Sequence, residues 1–144
     1  MRAVMFILLF AGLGLLALPA RAGDDSLYRA FGEHAGLDTL MSDFVGRLKS
    51  DARIGRFFKN ANARHLSEQL TSQLCMLAGG PCEYEGAPMQ LVHRDMAIGR
   101  AEFNALVEVL QETMDARGIP FAAQNRMLAL LAPLHRQIVS APPP

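Results

Sequence analysis

Apolar residues recur along this chain at the three- and four-residue spacing of helices buried on one side, and glycines and prolines punctuate them. The clearest run is Leu37, Leu40, Met41, Phe44, Val45 and Leu48. Gly32 and Gly36 read as breaks before it, which predicts a short separate helix over Ser26 to Phe31, capped by Asp24, Asp25 or Ser26. "DARIGRFF" reads as a short turn ending in two aromatics. Asn62 then opens a second stripe, Leu66, Leu70, Leu74 and Leu77, which Gly79, Gly80 and Pro81 terminate. A loop follows to Pro88, which suits the first turn of a short helix holding Met89, Val92, His93 and Met96. Beyond Gly99 comes the stripe Phe103, Leu106, Val107, Leu110 and Met114, ended by Gly118. Pro120 opens the last helix, with Met127, Leu128, Leu131, Leu134 and Ile138 inward and a kink at Pro133. No segment alternates apolar and polar residues at the strand period, and no repeat or linker divides the helices. The expectation is one all-α domain.

The first apolar run belongs to a different class. "MRAVMFILLFAGLGLLALPARAG" carries an early Arg2, an uncharged stretch to Leu18, and small residues at Ala20 and Ala22. That is the pattern of a secretory signal peptide over 1–22, cleaved before Gly23, leaving a domain over 23–144. With no cysteine at the cleavage point to carry a lipid, the product is expected to be free of the membrane and, in a bacterium, periplasmic. Of the 14 basic and 14 acidic side chains, Arg2 and Arg21 leave with the leader, so the mature domain is nearly neutral. It has no basic stripe, and nucleic acid is not an expected partner.

Two cysteines, Cys75 and Cys82, remain in what would be an oxidising compartment, which favours a disulfide over free thiols. Neither zinc nor covalent heme attachment at cysteine is supported, because the spacing is not C-x-x-C and no histidine follows Cys82.

The order of segments resembles that of a group I truncated hemoglobin. "LYRAFGEHAGL" is similar to the opening helix and glycine turn of that family, "DFVGRLKSD" to its next helix and "FF" to the aromatic pair after it. "GGPCEYEGAPM" resembles the loop joining its two heme-facing helices, followed at the family's spacing by the "VH" of the proximal ligand. "GIPFAAQNRMLALLAPL" is similar to its last helix. The resemblance runs from Ser26 to Val139 and implies a two-over-two helical sandwich around a heme b, whose iron is held by His93 and takes a diatomic gas (O2, NO or CO), pentacoordinate or weakly hexacoordinate before the gas binds.

The residues support that implication on their own chemistry. A heme buries a large flat apolar surface and requires a neutral imidazole on one face. Met89, Val92 and Met96 would surround His93 with soft apolar contacts. The resemblance places the ligand side on Val45, Leu66 and Leu70, with Phe58 packed on the heme. Members that hold oxygen tightly usually have Tyr at the position of Val45 and often Gln at that of Leu70, so tight oxygen storage is not expected here. Gln69 and Gln73 are the nearest amide donors and are expected to flank the pocket. Gly32 followed by Glu33 replaces the usual glycine pair after the first helix. His34 and His135 are expected to be solvated, and His65 to be a candidate sixth ligand.

Three functions stand beside one another at this point: a reversible gas-binding heme protein; a heme enzyme oxidising nitric oxide, which would need an electron donor, or reducing peroxide; and a heme-free helical interaction module in which His93 is a packed side chain.

Overall fold

The computed structural model describes residues 24–140. The expected leader and the terminal "APPP" lie outside them. Eight α-helices run α1 Ser26–Ala30, α2 Glu33–Ser50, α3 Gly55–Phe58, α4 Ala63–Leu77, α5 Met89–Val92, α6 Arg100–Ala116, α7 Phe121–Leu131 and α8 His135–Ile138. No strand occurs among the described residues. None of these helices is long and apolar enough to cross a membrane.

The short α1 has Asp25 at its N-cap with no side-chain cap bond, and the Asp24 carboxylate just before it accepts the Ser26 N–H at 3.0 Å. Gly32 and Glu33 then turn the chain through the left-handed region, at φ 78° and 59°. Gly36 does not break the chain, contrary to the reading of its sequence. It sits inside α2, where a Cβ would lie 2.0 Å from the Phe31 carbonyl oxygen, so glycine lets α1 come down onto the next helix. His34 lies in the first turn of α2 and is exposed, as expected.

The predicted inward face of α2 is the heart of the core: Leu37, Leu40, Met41, Phe44, Val45 and Leu48 are all at most 3% exposed. This face packs most extensively on α4, and less so on α6. Asn62 caps α4, its side chain accepting the His65 N–H at 3.0 Å. The helix ends in a Schellman turn in which Gly79 is left-handed, Gly79 N–H bonds Met76 O and Gly80 N–H bonds Cys75 O. The same device, with Gly118 and Ile119 bonding Asp115 O and Met114 O, stops α6 and starts the approach to α7. α6 touches α7, and α4 touches α7, so the α2/α4 pair stacks on the α6/α7 pair as a two-over-two sandwich. Pro133 interrupts the last helix with a 3-10 turn, Ala132–Leu134, and redirects it as α8.

Helix α6 departs from its predicted register. Its fully buried side chains are Ala105, Val109, Leu110, Thr113 and Met114, while Phe103, Leu106 and Val107 are half-buried. Like α4, it presents one face to the core and a second, partly covered apolar face beside it.

In the α2-facing side of α4 lies a buried Thr71 whose hydroxyl has no partner. Its burial costs on the order of 1–3 kcal/mol of desolvation that no bond returns. Thr71→Val keeps the shape and removes the hydroxyl, and is expected to raise the unfolding free energy by about 1 kcal/mol, read as a higher urea midpoint.

Candidate heme site

The loop after Gly80 runs without regular structure to Pro88, then α5 makes a single helical turn. His93 is the residue that ends this turn, not one inside a longer helix as its sequence reads. The helix stops because Asp95 and Ala97 take left-handed backbone, at φ 67° and 49°. Met96 lies beyond the turn and is tied back to it by its N–H, which bonds the His93 carbonyl at 3.3 Å. Asp95 tolerates this conformation better than Ala97 does, since a Cβ there meets its own carbonyl. Ala97→Gly should therefore stabilise the folded protein by up to about 1 kcal/mol, after allowing for the freer unfolded chain. Ala101→Gly, inside α6, should cost about 1 kcal/mol. Thermal unfolding of the two variants gives opposite signs if the strain is local to Ala97.

The His93 ring is oriented by a backbone partner. Its Nδ1 lies 2.8 Å from the Met89 carbonyl oxygen. A carbonyl only accepts, so Nδ1 must carry the proton for this bond, and Nε2 is left with the lone pair a metal needs. Met89, His93 and Met96 are all half-buried, while Leu91 and Val92, next to them, are 53% and 46% exposed. Behind this turn α5 packs on α8, and the Ser140 N–H reaches the Ile98 carbonyl at 3.0 Å, so the C-terminal segment backs the histidine. His135 is only partly solvated: it is half-buried in α8, edge-on to Phe103 with ring centroids 4.8 Å apart.

On the opposite pair, Val45 is buried between α2 and α4 and lines a cleft of about 420 Å³ with Asp38, Ser42, Arg64, Ser67 and Glu68, a cleft that Leu66, Leu70 and Phe58 do not line. Leu66 and Leu70 are half-buried on the second face of α4, and Leu70 packs against the edge of the core, as Phe57 and Phe58 do. Of the aromatic pair, Phe57 is covered by the Arg56 guanidinium, 4.5 Å from its ring centre, and Phe58 is not. His65 falls on the exposed side of α4, about a third of a turn round from Leu66.

Sequence reasoning placed Gln73 beside the pocket, but it is 7% exposed and shares the second face of α4 with Leu66, Leu70 and Leu77. The signal for this was present: residues 66, 70, 73 and 77 fall at helical spacing, and the polar member was read as outside the stripe because of its polarity.

Electrostatics near the site are mild. The Glu102 carboxyl is held below the usual carboxylate range by backbone N–H groups of its own residue and of Gly99 and by Arg56, which anchors the start of α6. Burial pushes the Tyr84 hydroxyl up.

These residues fit a heme. An imidazole lone pair is fixed by a second-sphere carbonyl, and partly covered apolar faces stand on α4, α6 and α7 in Leu70, Leu106, Leu128 and Leu131. An all-helical sandwich with one such histidine is a heme protein of the globin class. A model of the bacterial-like globin family matches residues 26–140, and the chain belongs to that family. It is 29% identical over 126 residues to the group 1 truncated hemoglobin of Mycolicibacterium paratuberculosis, covering 88% of this chain and 93% of the relative. It is 31% identical over 100 residues to that of Tetrahymena pyriformis, covering 69% and 83%. The crystal structure of the Tetrahymena pyriformis protein in its Fe(III) form superposes with a TM-score of 0.75, covering 79% of this chain and 97% of that one. The cofactor is heme, and the activity of the fold is heme-based binding of a diatomic gas.

Proposed function

We propose that this chain is an exported heme b protein that binds a diatomic gas reversibly, with Nε2 of His93 on the iron. The observation that carries the reading is the His93 Nδ1 to Met89 carbonyl bond at the end of the Gly79–Pro88 loop. Bound heme would supply an iron able to take a diatomic gas. The chain supplies the rest. The Met89 carbonyl fixes the ring and makes Nε2 a better donor. Met89 and Met96, both half-buried beside His93 in the chain, would offer polarisable side chains to the heme on this side. Phe58, Leu66, Leu70 and Val45 shape the ligand side and keep water out. Val45 and Leu70 offer no hydrogen-bond donor, which favours carbon monoxide and nitric oxide relative to oxygen.

Export rests on the leader sequence: Arg2, the uncharged run and the small residues at Ala20 and Ala22. A Cys75–Cys82 disulfide agrees with an oxidising compartment. Protein recovered from the periplasmic fraction should begin at Gly23.

The test is the absorption spectrum of Gly23–Pro144 purified with heme, ferric and then ferrous under carbon monoxide. The expected result is a strong Soret band and the carbonyl spectrum of a histidine-ligated heme. A colourless protein that takes up no added heme overturns the proposal.

A further inference from the structure

We infer that Tyr84 is a positioning residue for His93: its ring closes on Gly86 and so fixes the segment that aims the Met89 carbonyl at the imidazole, an assignment that rests on the heme reading above. The loop before α5 alternates between outside and inside. Glu83 and Glu85 are exposed, while Cys82, Tyr84 and Gly86 are half-buried. None of residues 82–87 donates its backbone N–H to a backbone carbonyl, so side chains set the path of the loop. The hydroxyl end of the Tyr84 ring lies against Gly86, where a Cβ would stand 2.2 Å from Cζ and Oη and 2.5 Å from Cε2. The hydroxyl donates to the Ala87 carbonyl at 3.5 Å, the far limit of such a bond. Gly86, unlike Gly79 and Gly118, does not have positive φ. What requires glycine here is the ring, not a left-handed backbone.

This clasp reaches the histidine through a stiff segment. Pro88 has a ring-fixed φ and confines Ala87, before it, to extended backbone. Gly86 is then the one soft position between the clasp and α5, and the Tyr84 ring stands against it. Pro88 starts the turn: its carbonyl accepts the Leu91 N–H at 2.9 Å and the Val92 N–H at 3.2 Å. The next carbonyl, that of Met89, accepts the His93 N–H at 3.1 Å and faces Nδ1 at 2.8 Å. One peptide thus holds both the backbone and the ring of the iron ligand, and a rotation at Gly86 is passed directly to it. The clasp lies wholly within the loop. It sets the α5 turn relative to the loop, whereas the Cys75–Cys82 bridge ties the loop to α4.

The experiment compares wild-type, Tyr84→Phe, Tyr84→Ala, Gly86→Ala and doubly substituted Tyr84→Ala, Gly86→Ala proteins, each loaded with heme. The readouts are the iron–histidine stretching band of the ferrous, gas-free protein by resonance Raman and the rate of heme transfer to an excess of an apo-globin acceptor. Tyr84→Phe keeps the ring on Gly86 and is expected to retain the wild-type band. Tyr84→Ala removes the ring and Gly86→Ala pushes it away. Each is expected to shift or broaden the band and to speed heme loss roughly tenfold, the effect of freeing about one residue of backbone. With Tyr84 already replaced, the methyl added at Gly86 meets no ring, so the double variant is expected to lose heme no faster than Tyr84→Ala alone. Gly86→Ala carries the comparison with wild type should Tyr84→Ala not fold. Single variants that keep the wild-type band overturn the assignment, as do effects that add in the double variant. A wild-type protein that takes up no heme overturns the underlying heme reading, an outcome distinct from a normal iron–histidine band that ignores the clasp.

Discussion

Replacing His93 with glycine is expected to weaken heme binding by at least about 100-fold, roughly 3 kcal/mol at 1.4 kcal/mol per decade, and to remove the histidine-ligated carbonyl spectrum. The physical basis is the arrangement at the end of α5. The Met89 carbonyl holds the ring by Nδ1, so the lone pair of Nε2 is already oriented in the free protein and little rotamer freedom remains to be lost on binding iron. Glycine leaves the apolar faces of α4, α6 and α7 intact, and heme should still partition into them weakly. Free imidazole at millimolar concentration should then enter the space left by the side chain and restore the carbonyl spectrum. Heme titration and difference spectroscopy with and without imidazole measure both effects. A variant that keeps wild-type heme affinity and spectrum would show that another side chain holds the iron. His135, half-buried against Phe103, is then the first to examine, because α8 packs directly on α5.

The helices and their order were legible in the chain because apolar spacing and Gly/Pro stops act locally. The α2 face was read residue for residue, and the Asn62 cap and the Gly79 and Gly118 stops fall where expected. His93 was legible only through its loop, since a lone histidine on an apolar segment carries no signal of its own. What could not be read was tertiary. Gly36 resembles a helix breaker, and only the close approach of the Phe31 carbonyl makes it an interior helix residue. The left-handed backbone at Asp95 and Ala97 shortens α5 with no glycine to announce it. Helices α4 and α6 each serve two neighbours, so a single stripe drawn along them does not foresee that Gln73 is buried or that Phe103, Leu106 and Val107 are only half-buried. His135 is drawn inward by an aromatic partner more than thirty positions earlier in the chain.

The cysteine pair carries the second large effect. Cys75 is fully buried in the last turn of α4 and Cys82 is half-buried in the loop that leads to His93, with Cα atoms 5.8 Å apart, a separation a disulfide spans without backbone movement. Closing a ring of about eight residues removes unfolded-chain entropy worth roughly 2–3 kcal/mol, so reduction by a dithiol, or Cys75→Ser with Cys82→Ser, should lower the unfolding free energy by about that amount. Where the loss is felt distinguishes two roles. The Schellman turn, with Gly80 N–H on Cys75 O at 2.9 Å and no room beside Gly80 for more than a hydrogen, holds the first half of the ring without the sulfur bridge. Pro81 to Pro88 has no such support and forms no regular structure. Reduction should therefore free the loop before it frees α4, and α5 with His93 hangs on that loop. Heme transfer to an excess of an apo-globin acceptor is expected to run faster in the reduced protein, under conditions where far-UV helicity is unchanged. A reduced protein that is less stable to urea yet loses heme at the oxidised rate would make the bridge a staple of the fold alone. The proximal turn would then be positioned by α8 and the Ser140 to Ile98 bond rather than by the loop.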